Sequence, residues 1–186
     1  MSKVKNIDGT PHFPVVSLFS GAMGLDIGLM QAGLNIAVSQ DYDKWCVETI
    51  KKNGHVGVLG DIRELINQDP SCDFLLKAGG LKKDSVFAVV GGPPCQSFST
   101  AGKRLGVEDE RGQLYNQFIH VVDQLRPRFF VMENVKGLAS TLVDPADKQS
   151  LPLLDHILEK FKALGYHTVH GVLDAVHYGT PQFRER

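Results

Sequence analysis

The stretch Gly91-Gly92-Pro93-Pro94-Cys95 follows an apolar run, SVFAVV (85–90), and presents a thiol just beyond its end. Prolines fix the backbone angle φ, so Pro93 and Pro94 stiffen the lead into Cys95. A thiol held in this way suits nucleophilic attack. The competing reading is a small buried hydrophobe, as most free cysteines are. A second apolar run, RFFVME (128–133), ends in Glu133, followed by Asn134-Val135. A carboxyl there is paired, exposed or functional, and partial desolvation lets it hold a proton near neutral pH, as a general acid must. The last residues, TPQFRER, set Arg184 and Arg186 two apart on one side of an extended segment. Guanidinium groups so placed hold phosphates or a carbonyl oxygen, or simply meet solvent.

A second constellation points to a nucleotide-like ligand. PVVSLF (14–19) runs into Ser20-Gly21-Ala22-Met23-Gly24-Leu25, where glycines let backbone approach a ligand. NIAVSQ (35–40) ends at Asp41, whose carboxylate is able to take two ribose hydroxyls. HVGVLG (55–60) is followed by Asp61-Ile62. The glycine spacing is neither a dinucleotide fingerprint nor a P-loop, so a nucleoside lacking a pyrophosphate fits better. The bland alternative is a turn with surface acids. Cys46, inside a helix pattern, and Cys72, near a loop, read as structural.

The elements that must position these groups alternate. Apolar strands at 14–19, 35–40, 55–60, 85–90, 128–133 and 168–175 are interleaved with amphipathic helices at 43–53, 113–125 and 151–165. A shorter helix follows the first strand, with Leu25, Leu29 and Ala32 on its apolar face. This is the pattern of βαβ units around a parallel sheet, with ligands beyond the C-terminal strand ends. Residues 1–13 read as a flexible arm and 14–186 as a catalytic and cofactor-binding domain. Loops at 92–112 and 134–150 are long enough to be functional.

The chain has 186 residues, 42% of them hydrophobic and 22% charged, and a net charge of -1. That charge gives no global signature for nucleic acid, so any such contact rests on a local patch or another segment. No apolar run approaches the roughly 18 residues of a membrane span, and three dispersed cysteines suggest neither a disulfide framework nor a metal site. A cytoplasmic, prokaryotic setting is the expectation.

Taken in order, these motifs resemble the carbon-5 cytosine methyltransferases. Phe19-Ser20-Gly21-Ala22-Met23-Gly24-Leu25 is similar to the family's first motif, Asp41-Tyr42 and Asp61-Ile62 to its ribose and adenine residues, and Pro94-Cys95-Gln96 to its nucleophile motif. Asp109-Glu110-Arg111-Gly112, Glu133-Asn134-Val135, and Gln182 with Arg184 and Arg186 complete the series. The resemblance implies a Rossmann-like fold, S-adenosyl-L-methionine as cofactor, duplex DNA with a cytosine target as partner, and a place in restriction-modification. It implies Cys95 as nucleophile, Glu133 as the group at ring nitrogen 3, and Arg186, supported by Arg184, at the 2-oxo group. Phe19, Ser20, Gly21, Ala22, Gly24, Leu25, Asp41, Tyr42, Asp61, Ile62 and Pro94 would hold the cofactor.

Two departures stand in the first motif: Met23 replaces a usual glycine, where it would crowd the cofactor, and Ser17 replaces a common aspartate. The family also continues beyond the position of Arg186 into a further strand, a target-recognition region and a final motif. The resemblance therefore implies a sheet truncated before its last strand, and a second polypeptide or downstream segment needed for activity. The alternatives are a tRNA cytosine-5 methyltransferase and a non-catalytic homologue that binds cofactor or a partner.

Overall fold

The structure is a computed structural model that describes residues 13–94, 114–143, 147 and 149–186. The expected arm at 1–12 and Cys95 with its loop lie outside the described residues. The chain divides into two compact units. One takes the residues up to Gly92 together with His120–Met132; the other takes Pro93–Ile119 and Glu133–Arg186.

The first unit is built on a five-stranded, all-parallel sheet in the order β3-β2-β1-β4-β5. Its strands are β1 (Pro14–Leu18), β2 (Asn35–Asp41), β3 (Gly57–Leu59), β4 (Ala88–Gly91) and β5 (Phe129–Met132). Every residue of β1 is buried, as a central strand covered on both faces requires. Val15, Ile36, Ala88 and Val90 form a core cluster with Leu29, Met30, Leu34 and Phe87 against it. Rings of Phe13, Phe87 and Phe129 stack in sequence, with centroids 4.6 and 5.2 Å apart.

The helices of this unit are α1 (Gly24–Gln31), α2 (Lys44–Lys52), α3 (Ile62–Gln68) and α4 (Asp73–Ala78). Asp43 starts α2 by accepting hydrogen bonds from the N–H groups of Trp45 and Cys46, and Val47 and Ile50 face inward. The strand order moves outward from β1 to β3 and then returns to β4 on the other side of β1. The C-terminal ends of β1 and β4 therefore form the switch point where open α/β sheets bind ligands.

In the second unit, α6 (Leu153–Ala163) buries Leu153, Ile157 and Phe161. Phe118, from α5 (Leu114–Leu125), meets the Phe161 ring edge to face at 6.3 Å. Lys160 Nζ donates to Asn116 Oδ1 at 2.8 Å. A 3-10 turn spans Lys136–Ser140 and another Ala175–Tyr178. No described helix is long and apolar enough to cross a membrane.

Two expectations need correction. The segment 168–175 is not a strand. Val169 is 99% exposed, and the backbone pairing with the last residues is confined to Leu173 with Arg186 and Ala175 N with Arg184 O, on either side of an isolated Asp174–Glu185 bridge. Apolar and β-branched residues give a segment the propensity for a strand, but a strand exists only where a neighbour's backbone bonds to it. The apolar face expected for α1 holds only in part: Leu29 packs against the core, but Leu25 and Ala32 are exposed, and the fully buried residue is Asp26.

Candidate active site

The turn after β1 is tightly wound, with Phe19 at φ 54°, Gly21 at 54° and Met23 at 67°. Side chains rarely adopt this left-handed region, so neighbouring groups must hold the turn. Ser20 N donates to Gln40 O at 3.1 Å and Met23 N to Ser20 O at 2.9 Å. Gly21 N donates to Asp41 Oδ2 at 2.8 Å, and Asp43 N to Asp41 Oδ1 at 2.9 Å. Each oxygen of the buried Asp41 carboxylate thus takes one backbone N–H and keeps further lone-pair capacity. A Cβ placed on Gly21 or Gly24 would meet nothing within 4 Å, so the turn borders open space. The Met23 side chain is buried in the interior, the physical answer to the crowding expected of it.

Tyr42, next along, is 69% exposed. Gln40 Nε2 donates to Gly60 O at 2.7 Å, and Gly60 N to Asp41 O at 3.1 Å, which ties the end of β3 to β2. Asp61 caps α3 through Arg63 N at 2.9 Å and takes the Arg63 guanidinium on both oxygens. That guanidinium holds the Asp61 carboxyl below its usual range against the opposing effect of burial. Ile62 is a core residue of α3, while Ala22, Gly24 and Leu25 are exposed.

In the second unit, Pro93 follows β4 and Glu133 follows β5. Asn134 Nδ2 donates to Pro93 O at 3.0 Å and joins these two segments. Arg186 Nε lies 2.9 Å from Glu133 Oε1, although 53 positions separate the residues. Lys136 Nζ meets both oxygens of Glu185 at 2.9 and 3.0 Å. The last residues are aligned by backbone bonds between Leu173 and Arg186, at 2.8 and 2.9 Å, and by Asp174 Oδ1, which accepts Arg184 N at 3.0 Å. A 630 Å³ groove elsewhere in this unit runs along α6, between Leu151, Leu158 and Tyr166. None of the residues singled out from the sequence lines it.

The model of the C-5 cytosine-specific DNA methylase family matches residues 13–186. The chain belongs to this family. It is 38% identical over 173 residues to the Type II methyltransferase M.FnuDI of Fusobacterium nucleatum, a match covering 92% of this chain and 44% of that protein. It is 40% identical over 179 residues to the Type II methyltransferase M.AquIA of Picosynechococcus, covering 92% of this chain and 68% of the relative. Among solved structures, a putative DNA modification methyltransferase encoded within an E. coli prophage superposes with a TM-score of 0.67. Its identity is 25%, with 93% of this chain and 44% of that one covered. The chain thus spans less than half the length of M.FnuDI. The five-stranded parallel sheet is the Rossmann-like fold of these methyltransferases.

With the family known, the expected residues fall into two groups. Phe19 to Leu25, Asp41, Tyr42, Asp61 and Ile62 cluster around the C-terminal ends of β1 to β3. Glu133 and Arg186 meet directly, and Pro93 and Asn134 are joined. Arg184 is exposed and is held through its backbone rather than paired through its guanidinium with Glu133. Sequence reasoning noted Ser17 only as a departure from the family pattern and missed the other supporting residues: Asp26 and Ser39 beneath the Gly-rich turn, Gln40 beside Gly60, and Asp174 and Lys136 around the arginines. Some left a signal. Ser17 and Ser39 are polar interruptions of apolar strands and so need buried partners, and Asp174 stands one residue before a helical turn, at a capping position.

Proposed function

We propose that this chain carries the methyl-transfer machinery of a DNA (cytosine-5)-methyltransferase, acting on a cytosine turned out of the duplex. The observation that carries the reading is the contact of Glu133 with Arg186 in the unit where Asn134 also grips Pro93. These contacts gather three sequence motifs that lie far apart in the chain. S-adenosyl-L-methionine supplies, when bound, an electrophilic methyl group. The donor set fits such a nucleoside. Asp41 has capacity for ribose hydroxyls, Tyr42 offers an exposed ring, and the Gly21 turn borders open space.

Carbon 5 of cytosine is a weak nucleophile and needs activation. In this reading the Cys95 thiolate bonds to carbon 6, which puts electron density on carbon 5; carbon 5 would then take the methyl group as the sulfonium–methyl bond breaks, with S-adenosylhomocysteine as the leaving group. Glu133 gives a proton or hydrogen bond to ring nitrogen 3, and Arg186 donates to the 2-oxo group. Arg184 supports the site. Contacts aimed at developing charge contribute about 3 to 4 kcal/mol each. Loss of the carbon-5 proton to a base then breaks the carbon–sulfur bond and restores both ring and thiolate. A base inside a duplex is out of reach of such a thiol, so it must be flipped out. The match to the C-5 cytosine-specific DNA methylase family supports DNA over tRNA as the substrate of this chain.

The test uses protein isolated from its host, S-adenosyl-L-methionine, and duplex DNA bearing 5-fluorocytosine, whose fluorine blocks the final elimination. A covalent adduct mapped by mass spectrometry to Cys95 is expected, with none on tRNA. An adduct undiminished by Cys95→Ala, or labelled methyl groups entering tRNA but not DNA, overturns the reading.

A further inference from the structure

Asp26 is the third residue of α1 and is 0% exposed. Among the described residues no Lys, Arg or His forms an ion pair with it. Its partners are hydroxyls. Ser17 Oγ donates to Oδ1 at 2.6 Å and Ser39 Oγ to Oδ2 at 2.8 Å. Ser17 on β1 and Ser39 on β2 are register partners, so one carboxylate spans the seam between adjacent strands. A third hydroxyl completes the array: Ser20 Oγ donates to Ser17 Oγ at 2.9 Å.

The array has a direction. Ser17 gives its proton to Asp26, so its lone pairs are free to receive Ser20. Ser20 sits between Phe19 and Gly21, both at φ 54°, in the turn that borders the open space. The turn is therefore held from two sides, by Gln40 O and Asp41 on one and by the chain Ser20 to Ser17 to Asp26 on the other. A buried carboxylate is costly, and an apolar side chain of similar volume often serves stability as well or better. Its retention at the base of a strained turn suits a placement role.

We infer that Asp26 is a positioning residue for the cofactor. Through Ser17 it fixes Ser20 and hence the backbone of the Gly-rich turn, without touching the ligand. The inference rests on the reading of that turn as the S-adenosyl-L-methionine cradle. Ser39 is the internal control. It donates to Asp26 as Ser17 does, but its hydroxyl makes no bond to Ser17 or Ser20, so removing that hydroxyl leaves the path from Asp26 to the turn, and the Gln40 backbone bond to Ser20, intact.

The experiment is calorimetry of S-adenosyl-L-methionine and S-adenosylhomocysteine binding to the chain and to Ser17→Ala, Ser39→Ala and Asp26→Ala, with thermal melting of each. Ser17→Ala is expected to weaken both ligands about ten-fold, the equivalent of one hydrogen bond. Both serine variants are expected to lower the melting temperature to a similar extent, but Ser39→Ala with less than about a three-fold loss of affinity. Asp26→Ala, if it folds, follows Ser17→Ala. Equal losses of affinity in the two serine variants, or none in either, overturn the positioning role. No binding by the unaltered chain overturns instead the cofactor reading on which it rests.

Discussion

Arg186 Nε contacts Glu133 Oε1 at 2.9 Å, and both side chains are partly exposed. Such a pair contributes at most about 1 kcal/mol to folding, so its value lies in fixing two groups that the proposed chemistry needs together. Glu133→Gln and Arg186→Ala should each lower single-turnover methyl transfer about 100-fold or more, and the double variant should be little worse than the poorer single. Melting temperatures should barely move. Additive rate losses would show that the two residues act independently.

Asp41 has a double load. Its oxygens hold Gly21 N and Asp43 N, so Asp41→Ala leaves two N–H groups without acceptors, at a cost of about 1 to 3 kcal/mol each where they stay buried. Asp41→Asn keeps one acceptor oxygen and the volume. The expected result is weakened cofactor binding in both variants but a large loss of urea stability in Asp41→Ala alone. Unchanged affinity in Asp41→Asn would remove Asp41 from the ribose.

Gly91 and Gly28 should respond to alanine with opposite signs. A Cβ on Gly91 would lie 2.4 Å from the carbonyl oxygen of Leu18, its register partner in the central strand pair. Backbone cannot step aside cheaply, so Gly91→Ala should cost about 1 to 3 kcal/mol. A Cβ on Gly28, in the exposed face of α1, meets nothing, and Gly28→Ala should gain about 0.5 to 1 kcal/mol. Urea midpoints measure both.

The Asp61–Arg63 pair makes a pH-dependent contribution. The Arg63 hydrogen bond lowers the Asp61 pKa in the folded chain, so the stabilisation is full above the unfolded value near 3.8 and is lost as pH falls through the folded one. Arg63→Gln should therefore destabilise equally at pH 7 and 5, and the gap from the parent should narrow below pH 4. A gap that persists unchanged to pH 2 would show that Arg63 acts through packing.

Thiol labelling should discriminate the cysteines. Burial pushes the Cys72 thiol up to about 12, and Cys46 is raised as well, again chiefly by burial. Brief alkylation of the native chain at pH 8 should mark Cys95 ahead of both. Early modification of Cys72, read by peptide mass spectrometry, would contradict this.

The sequence by itself determined the five strands of the sheet and singled out the groups to which chemistry is assigned under the proposed function. PVVSLF and SVFAVV are apolar at all but one position each, and only strands buried on both faces need that. Asp41 and the Gly-rich turn stand at the ends of strands, because βαβ connectivity sends every strand end of a parallel sheet to the same side. Local pattern carries that information, since each element's own residues fix its type.

Tertiary structure alone decided which groups meet and what holds them. Arg186 reaches Glu133 across 53 positions, and Asp26 links Ser17 to Ser39 from a helix whose sequence suggested an apolar face. Hydrogen bonds between residues distant in sequence leave no periodic trace, because they depend on the separation and direction of whole elements. The segment 168–175 failed as a strand for the same reason. Its apolar content belongs to the segment alone, but strand pairing needs a second stretch of backbone brought alongside.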